Sequence, residues 1–148
     1  MRQTRKARPF RRAFFLRGFS CRSFFLGADV YTALALLLLW AARAQVRYCG
    51  GVWLAWGGAL PWLLRHHPLG VVAAAAMGRV IVAGDKTMLR RHLRHEWAHV
   101  RQFLRWGLLF PLLYVLELLR QILRGKTPYW HNVFEVEARR HELRQPPP

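Results

Sequence analysis

The sequence predicts an α+β fold: a small antiparallel sheet from residues 46 to 83, packed on a histidine-bearing helix and a later glutamate-bearing helix, behind an N-terminal hydrophobic helix. Three observations predict it. Val46 and Tyr48 alternate with Arg47, Cys49-Gly50-Gly51 signals a turn, and Val52, Leu54 and Trp56 follow at alternate positions, the period of a half-buried hairpin. Leu93, Trp97, Val100 and Leu104 recur at helical spacing and make one apolar stripe between Thr87 and Arg105. FPLLYVLELLRQILRG reads as a second apolar helix, and a turn at Gly125-Lys126-Thr127-Pro128 separates it from NVFEVEARR, residues 132 to 140.

The elements follow in order. Residues 1–23 are a basic arm, carrying eight of the 24 basic residues and no acid. RRAFFLR within it looks like a twin-arginine export signal, but the apolar run that should follow starts late and has Asp29 at its edge. Residues 24–43 hold the strongest apolar run and are near the length needed to cross a bilayer, so a membrane-anchor helix is expected, with a buried core helix as the bland alternative. Residues 44–144 form the domain, and 145–148 are a tail. Within the domain, PWLLRHH is a short helical turn, and two apolar β-branched runs meet at Met77-Gly78, Val80 to Ala83 being the clearer strand. Gly84-Asp85 closes that strand, and a helix begins near Thr87.

At 148 residues the chain is long enough for one domain with a modest core, and 53% apolar residues exclude a disordered chain. A net charge of +17 attracts nucleic acid, anionic lipid or acidic polypeptide without choosing among them. There is no zinc-finger spacing, no aromatic RNA-binding signature and no phosphate-cradling glycine loop, so nucleic acid is not the expected partner. Cys21 and Cys49 are too few for a disulfide framework or a cysteine-ligated metal, and any metal must be held by histidine and carboxylate.

RHEWAHVRQ, residues 94–102, contains His95-Glu96-x-x-His99. Residues four apart on a helix project the same way one turn apart, so both imidazoles can reach one ion at about 2.0–2.1 Å. Glu96 lies on the flank, where its carboxylate takes a proton from water without ligating the metal. The bland reading is two histidines on a very basic helix. A zinc ion needs a third protein ligand and an open position, and among only seven acids Glu135 and Glu137 stand together downstream. His92 shares the strip one turn earlier and is a lesser ligand candidate. Gln102 reads as a polar contact on that strip, His131 as a loop histidine within reach of an oxyanion role, and His66-His67 as a solvated turn.

The motif helix followed by E-x-E-A resembles the gluzincin class of zinc metallopeptidases. GRVIV, the HExxHxxQ helix, a hydrophobic helix and the ending Y-W-x-N-x-F-E-x-E-A-R are similar to a group of small bacterial zincin-like proteins, over about residues 46 to 140. That resemblance implies one zinc ion held by His95, His99 and Glu135, with Glu96 as general base in hydrolysis of a peptide or protein substrate. It also implies an edge strand at MGRVIVAG lining the substrate cleft. Glu137, two residues on, points about 200° away around its helix and should not reach the ion with Glu135. Arg139 stands where such peptidases often carry an aspartate that buttresses the active-site helix, which bears on activity more than on metal binding. The expected place of work is a membrane, the bacterial inner membrane on the resemblance, with the cytoplasm as alternative. A metal-binding protein without catalysis and a basic membrane-surface or nucleic-acid-binding protein without metal are the other functional readings.

Overall fold

The computed structural model describes residues 25–67, 70 and 72–144, and the expected basic arm and tail lie outside the described residues. It is α+β, mostly helical, with one four-stranded sheet. Helix α1 (Phe25–Ala41) leads into strands β1 (Gln45–Cys49) and β2 (Val52–Trp56), then the short helix α2 (Leu60–Arg65) and strands β3 (Ala74–Met77) and β4 (Val80–Ala83). Helix α3 (Lys86–Trp106) carries the histidine motif. A 3₁₀ turn (Gly107–Leu109) joins it to α4 (Phe110–Leu123), and α5 (Pro128–His131) and α6 (Val133–Arg144) complete the described chain.

Both hairpins form where the alternation places them. Gly50 and Gly51 both have positive φ, 61° and 89°, as a tight primed turn between β1 and β2 requires. The expectation of an antiparallel sheet is corrected. The strand order is β1-β2-β4-β3, and β2 pairs with β4 in parallel, Trp53 opposite Val80 and Trp56 opposite Ala83. Val80, Ile81 and Ala83 are fully buried, so β4 is apolar on both faces and takes an interior position, not the edge expected for MGRVIVAG. The chain from β2 therefore passes β4's place through α2, lays β3 at the edge, and returns antiparallel to it beside β2.

Alternate residues of the central strands build two cores. Ala55 and Val80, with Trp53 and Val82, face Ala35 and Leu39 of α1. Val52, Ile81 and Ala83, with Leu54 and Trp56, face Leu89 and Val100 of α3. The sheet is thus covered on both sides, and α1 is part of the packed body. Thr32 ties α1 to the β3–β4 turn: its hydroxyl donates to Ala28 O at 2.7 Å and accepts from Arg79 N at 2.9 Å. Gly78 in that turn has φ 62°, and a Cβ there would lie 2.5 Å from Ala28 O.

Helix α3 starts one residue earlier than the periodicity suggests, because Asp85 caps it, accepting from Thr87 N at 2.7 Å and Met88 N at 2.9 Å. By length and composition, the helical stretch Lys86–Leu123 is long and apolar enough to cross a membrane. It is not one straight rod, however. The rings of His99 and Tyr114 lie 6.3 Å apart, whereas 15 residues of straight helix would separate them by about 22 Å. The turn occurs at Gly107, whose φ of 55° and ψ of −130° are non-helical. Gly27 of α1 crosses there, and a Cβ on it would lie 2.4 Å from Leu108 N.

Replacing Gly78 by alanine is expected to lower stability by about 1–3 kcal/mol, because the positive φ and the crowded Ala28 carbonyl both oppose a side chain. Chemical denaturation of the variant checks it; an unchanged midpoint would mean that α1 does not press on this turn.

Candidate metal centre

The site lies where α3 packs against α6. Asn132, wholly buried, sets the start of α6: its side-chain oxygen accepts from Phe134 N at 2.9 Å, and its amide reaches Tyr114 O at 3.4 Å. That seating directs Glu135, in the first turn of α6, onto the two histidines of α3.

The three residues come together. His95 Nε2 and His99 Nε2 are 3.2 Å apart. His95 Nε2 lies 3.2 Å from Glu135 Oε2, and His99 Nε2 lies 3.2 Å from Glu135 Oε1. An ion bound tetrahedrally at about 2.0–2.1 Å needs neighbouring ligand atoms about 3.3–3.4 Å apart. All three side chains are buried, and Glu135 Oε2 has no hydrogen-bond partner among the described residues. A buried carboxylate oxygen without a donor between two imidazole nitrogens fits a cation.

Each histidine is held from its far side. His99 Nδ1 donates to Gln102 Oε1 at 2.8 Å, and Gln102 Nε2 donates in turn to Glu137 Oε2 at 2.9 Å and Phe134 O at 3.1 Å. His95 Nδ1 faces Glu142 Oε2 at 3.6 Å. Both rings therefore turn Nε2 toward Glu135, the orientation that outer hydrogen bonds give metal-ligating histidines. Glu137 does not join the ligand group, as its angular position on α6 predicts. His92 also stays outside it. His131 bonds locally to Thr127 Oγ1 at 2.9 Å, and His66 Nδ1 donates to Trp62 O at 2.8 Å.

Tyr114 of α4 donates its hydroxyl to Glu135 Oε1 at 2.8 Å. Arg139, one turn after Glu135, places Nη1 3.9 Å from Oε2 while its guanidinium lies over the rings of Tyr129 and Trp130. Burial alone would raise the Glu135 pKa, but the neighbouring rings of His95 and His99 and the hydrogen bond from Tyr114 hold its carboxylate well below the usual range. Burial lowers His99, yet the Glu135 hydrogen bond and the Glu96 charge outweigh it, and the net shift is upward. Glu96 is buried, and burial pushes its carboxyl up, opposed by His99 and His95. Burial likewise raises the Tyr129 phenol, to about 12.

Sequence reasoning missed Tyr114 and Glu142. Both left a usable signal. Tyr114, Glu117 and Gln121 are a polar strip at helical spacing inside an apolar helix, and Glu142 follows Glu135 by seven residues on the same face of α6. Comparison of this chain with protein-family models, curated proteins and solved structures finds no match.

Two outcomes are expected of purified protein. His99→Ala and Glu135→Ala abolish stoichiometric zinc, while Gln102→Ala keeps zinc with affinity weakened about 10–100-fold, all read by competition with a chromogenic chelator. Protons compete with metal for His99, whose pKa is raised by Glu135 and the Glu96 charge against the effect of burial, so affinity should rise with pH across the neutral range and fall on acidification. Zinc retained at full affinity in His99→Ala, or affinity flat across that range, would mean that the triangle does not bind the ion.

Proposed function

We propose that the chain is a zinc-dependent hydrolase acting on peptide bonds, of gluzincin type, in which His95, His99 and Glu135 hold one zinc ion and Glu96 is the general base. The observation that carries the reading is the buried triangle of two Nε2 atoms and a carboxylate, with all ligand atoms within 4.8 Å of one another. Two histidines and one carboxylate are the donor set of catalytic zinc sites that keep a fourth position for substrate or water.

Zinc, when bound, supplies a Lewis acid that polarises the scissile carbonyl and lowers the pKa of water toward about 7. The chain's own groups supply the proton transfers and the orientation. Glu96 neighbours both histidines in sequence, stays outside the ligand group, and is buried in a setting that raises its pKa. A carboxylate so raised is a better base near neutral pH, and it accepts a proton from the attacking water and returns it to the leaving amine nitrogen. Gln102 fixes the His99 ring by a hydrogen bond, while Glu142 faces His95 Nδ1 at 3.6 Å. Tyr114 holds Glu135 by one oxygen.

The alternative of a metal site without catalysis draws on Arg139, whose guanidinium lies beside Glu135 where an acidic buttress is usual in the resembling peptidases. Association with a membrane is the second part of the proposal, supported by the outer faces of α1 and α4, where leucine predominates.

Glu96→Gln should retain stoichiometric zinc and lose peptidase activity by about 10²–10⁴-fold, measured on a library of quenched fluorescent peptides. Equal activity in Glu96→Gln and the parent would exclude Glu96 as the base. Zinc binding with no cleavage of any peptide by the parent chain would favour the non-catalytic reading.

A further inference from the structure

Helix α4 is built inside out for a chain surrounded by water. Leu112, Val115, Leu116, Leu119, Ile122 and Leu123 share one face and are all exposed, whereas Glu117 and Gln121 on the opposite face are buried. Helix α1 is arranged in the same way. Ala28, Thr32 and Ala35 point inward with Leu39, while Val30, Leu34, Leu37, Leu38 and Trp40 point outward, Trp40 being 80% exposed. The two helices adjoin at the 3₁₀ turn, where Gly27 crosses the backbone at Gly107 and Leu108 and Tyr31 donates its hydroxyl to Leu108 O at 3.3 Å. Leu108 and Leu109, at the junction, are each 55% exposed. An apolar surface of this extent is not left in water by an ordinary monomeric protein.

Its surroundings identify what covers it. Exposed Arg43 follows α1, exposed Arg105 precedes the junction, and exposed Arg120, Arg124 and Lys126 close the far end of α4. Asp29 is the exposed acid on the two helices, and it lies 3.4 Å from Arg79. Leucine inside a rim of arginine complements an anionic lipid surface, where acyl chains take the apolar face and phosphates take the guanidinium groups.

We propose that α1, the 3₁₀ turn Gly107–Leu109 and α4 form one continuous face that seats in the interfacial layer of an anionic bilayer, with neither helix crossing it. The inner face of α1 is committed to the sheet through Ala35 and Leu39, which prevents its release as a free span. The seat also locates the candidate metal centre. Tyr114 belongs to α4 and bonds Glu135, so the centre sits about one helix diameter, on the order of 10 Å, from the lipid-facing leucines. This inference rests on the membrane association proposed above and is independent of whether zinc is bound or catalysis occurs.

The test is flotation of the full chain with vesicles of phosphatidylcholine containing phosphatidylglycerol, beside vesicles of phosphatidylcholine alone. The parent should float with the anionic vesicles and much less with the neutral ones. Leu116→Glu and Leu119→Glu in α4, and separately Leu34→Glu and Leu38→Glu in α1, should each weaken partitioning by about tenfold or more, with zinc content unchanged. Flotation lost only in the α1 variants would mean that α1 anchors alone and would overturn the shared seat. A parent that ignores vesicles but self-associates through these leucines would overturn it in favour of a protein interface. For variants that fail to fold, a bimane label settles the matter in the Cys21→Ser, Cys49→Ser background. Labels at Leu116→Cys and Leu37→Cys should be quenched by acyl-chain nitroxide lipids, and one at Arg91→Cys on α3 should not. Quenching absent at Leu116→Cys would sink the proposal.

Discussion

The arrangement of the helical half of this molecule follows from one requirement: the Glu135 carboxylate is withdrawn from water and has to be matched by groups that favour its charge. Removing a carboxylate from water without partners costs several kcal/mol. Three helices meet that cost together. His95 and His99 come from α3, the Tyr114 hydroxyl from α4, and Arg139 from the next turn of α6 itself. None of these elements can shift by a turn without leaving the charge unmatched. The positions of α4 and α6 on α3 are thereby tied to this charge as well as to apolar packing.

A second layer of polar groups keeps that cluster in register. Gln102 bridges His99 to Glu137 across the α3–α6 contact, and Asn132 bridges the start of α6 to the α4 backbone. Each is buried, so each lost partner would leave an unsatisfied polar group in a water-poor setting. Glu117 belongs to the same interior polar system. Burial would raise its pKa, but Gln121 and Arg120 hydrogen-bond it and hold the carboxyl below its ordinary value. The interior of α4 is therefore polar, and its leucines are displaced outward. The same inversion in α1 is a packing consequence. Small residues on its inner face let it lie close over the sheet and over Gly107, and the large side chains are left outside.

The sheet shows how far strand patterning reaches. The β1–β2 hairpin formed within a residue of its sequence limits, because alternation and a two-glycine turn are local signals. The parallel pairing of β2 with β4 left no such trace. It depends on which strand can bury both faces, and that is decided only when α1 and α3 close over the sheet together. Helix α1 illustrates the same limit. An apolar run of this length reads first as a bilayer span and second as a core helix, and the structure makes one face of it core. The separation of the motif helix from the apolar helix that follows was legible, but the direction in which the chain turns at Gly107 was not, since a non-helical glycine does not fix the angle between two helices.

The sequence by itself determined the chemistry on offer: two imidazoles one turn apart with a carboxylate between them in sequence, very few acids, and a glutamate pair on a later helix. Helical periodicity also sufficed to separate Glu135 from Glu137, because 200° of rotation is a local property of α6. Tertiary structure alone decided that Glu135 reaches His95 and His99, that Tyr114 bonds Glu135 and Glu142 faces His95, and that α1 crosses the chain at Gly107. Those are contacts between elements 20 to 80 residues apart, and no spacing rule encodes them. They arise when the sheet is covered on both faces and α3, α4 and α6 settle around a charge that water no longer solvates.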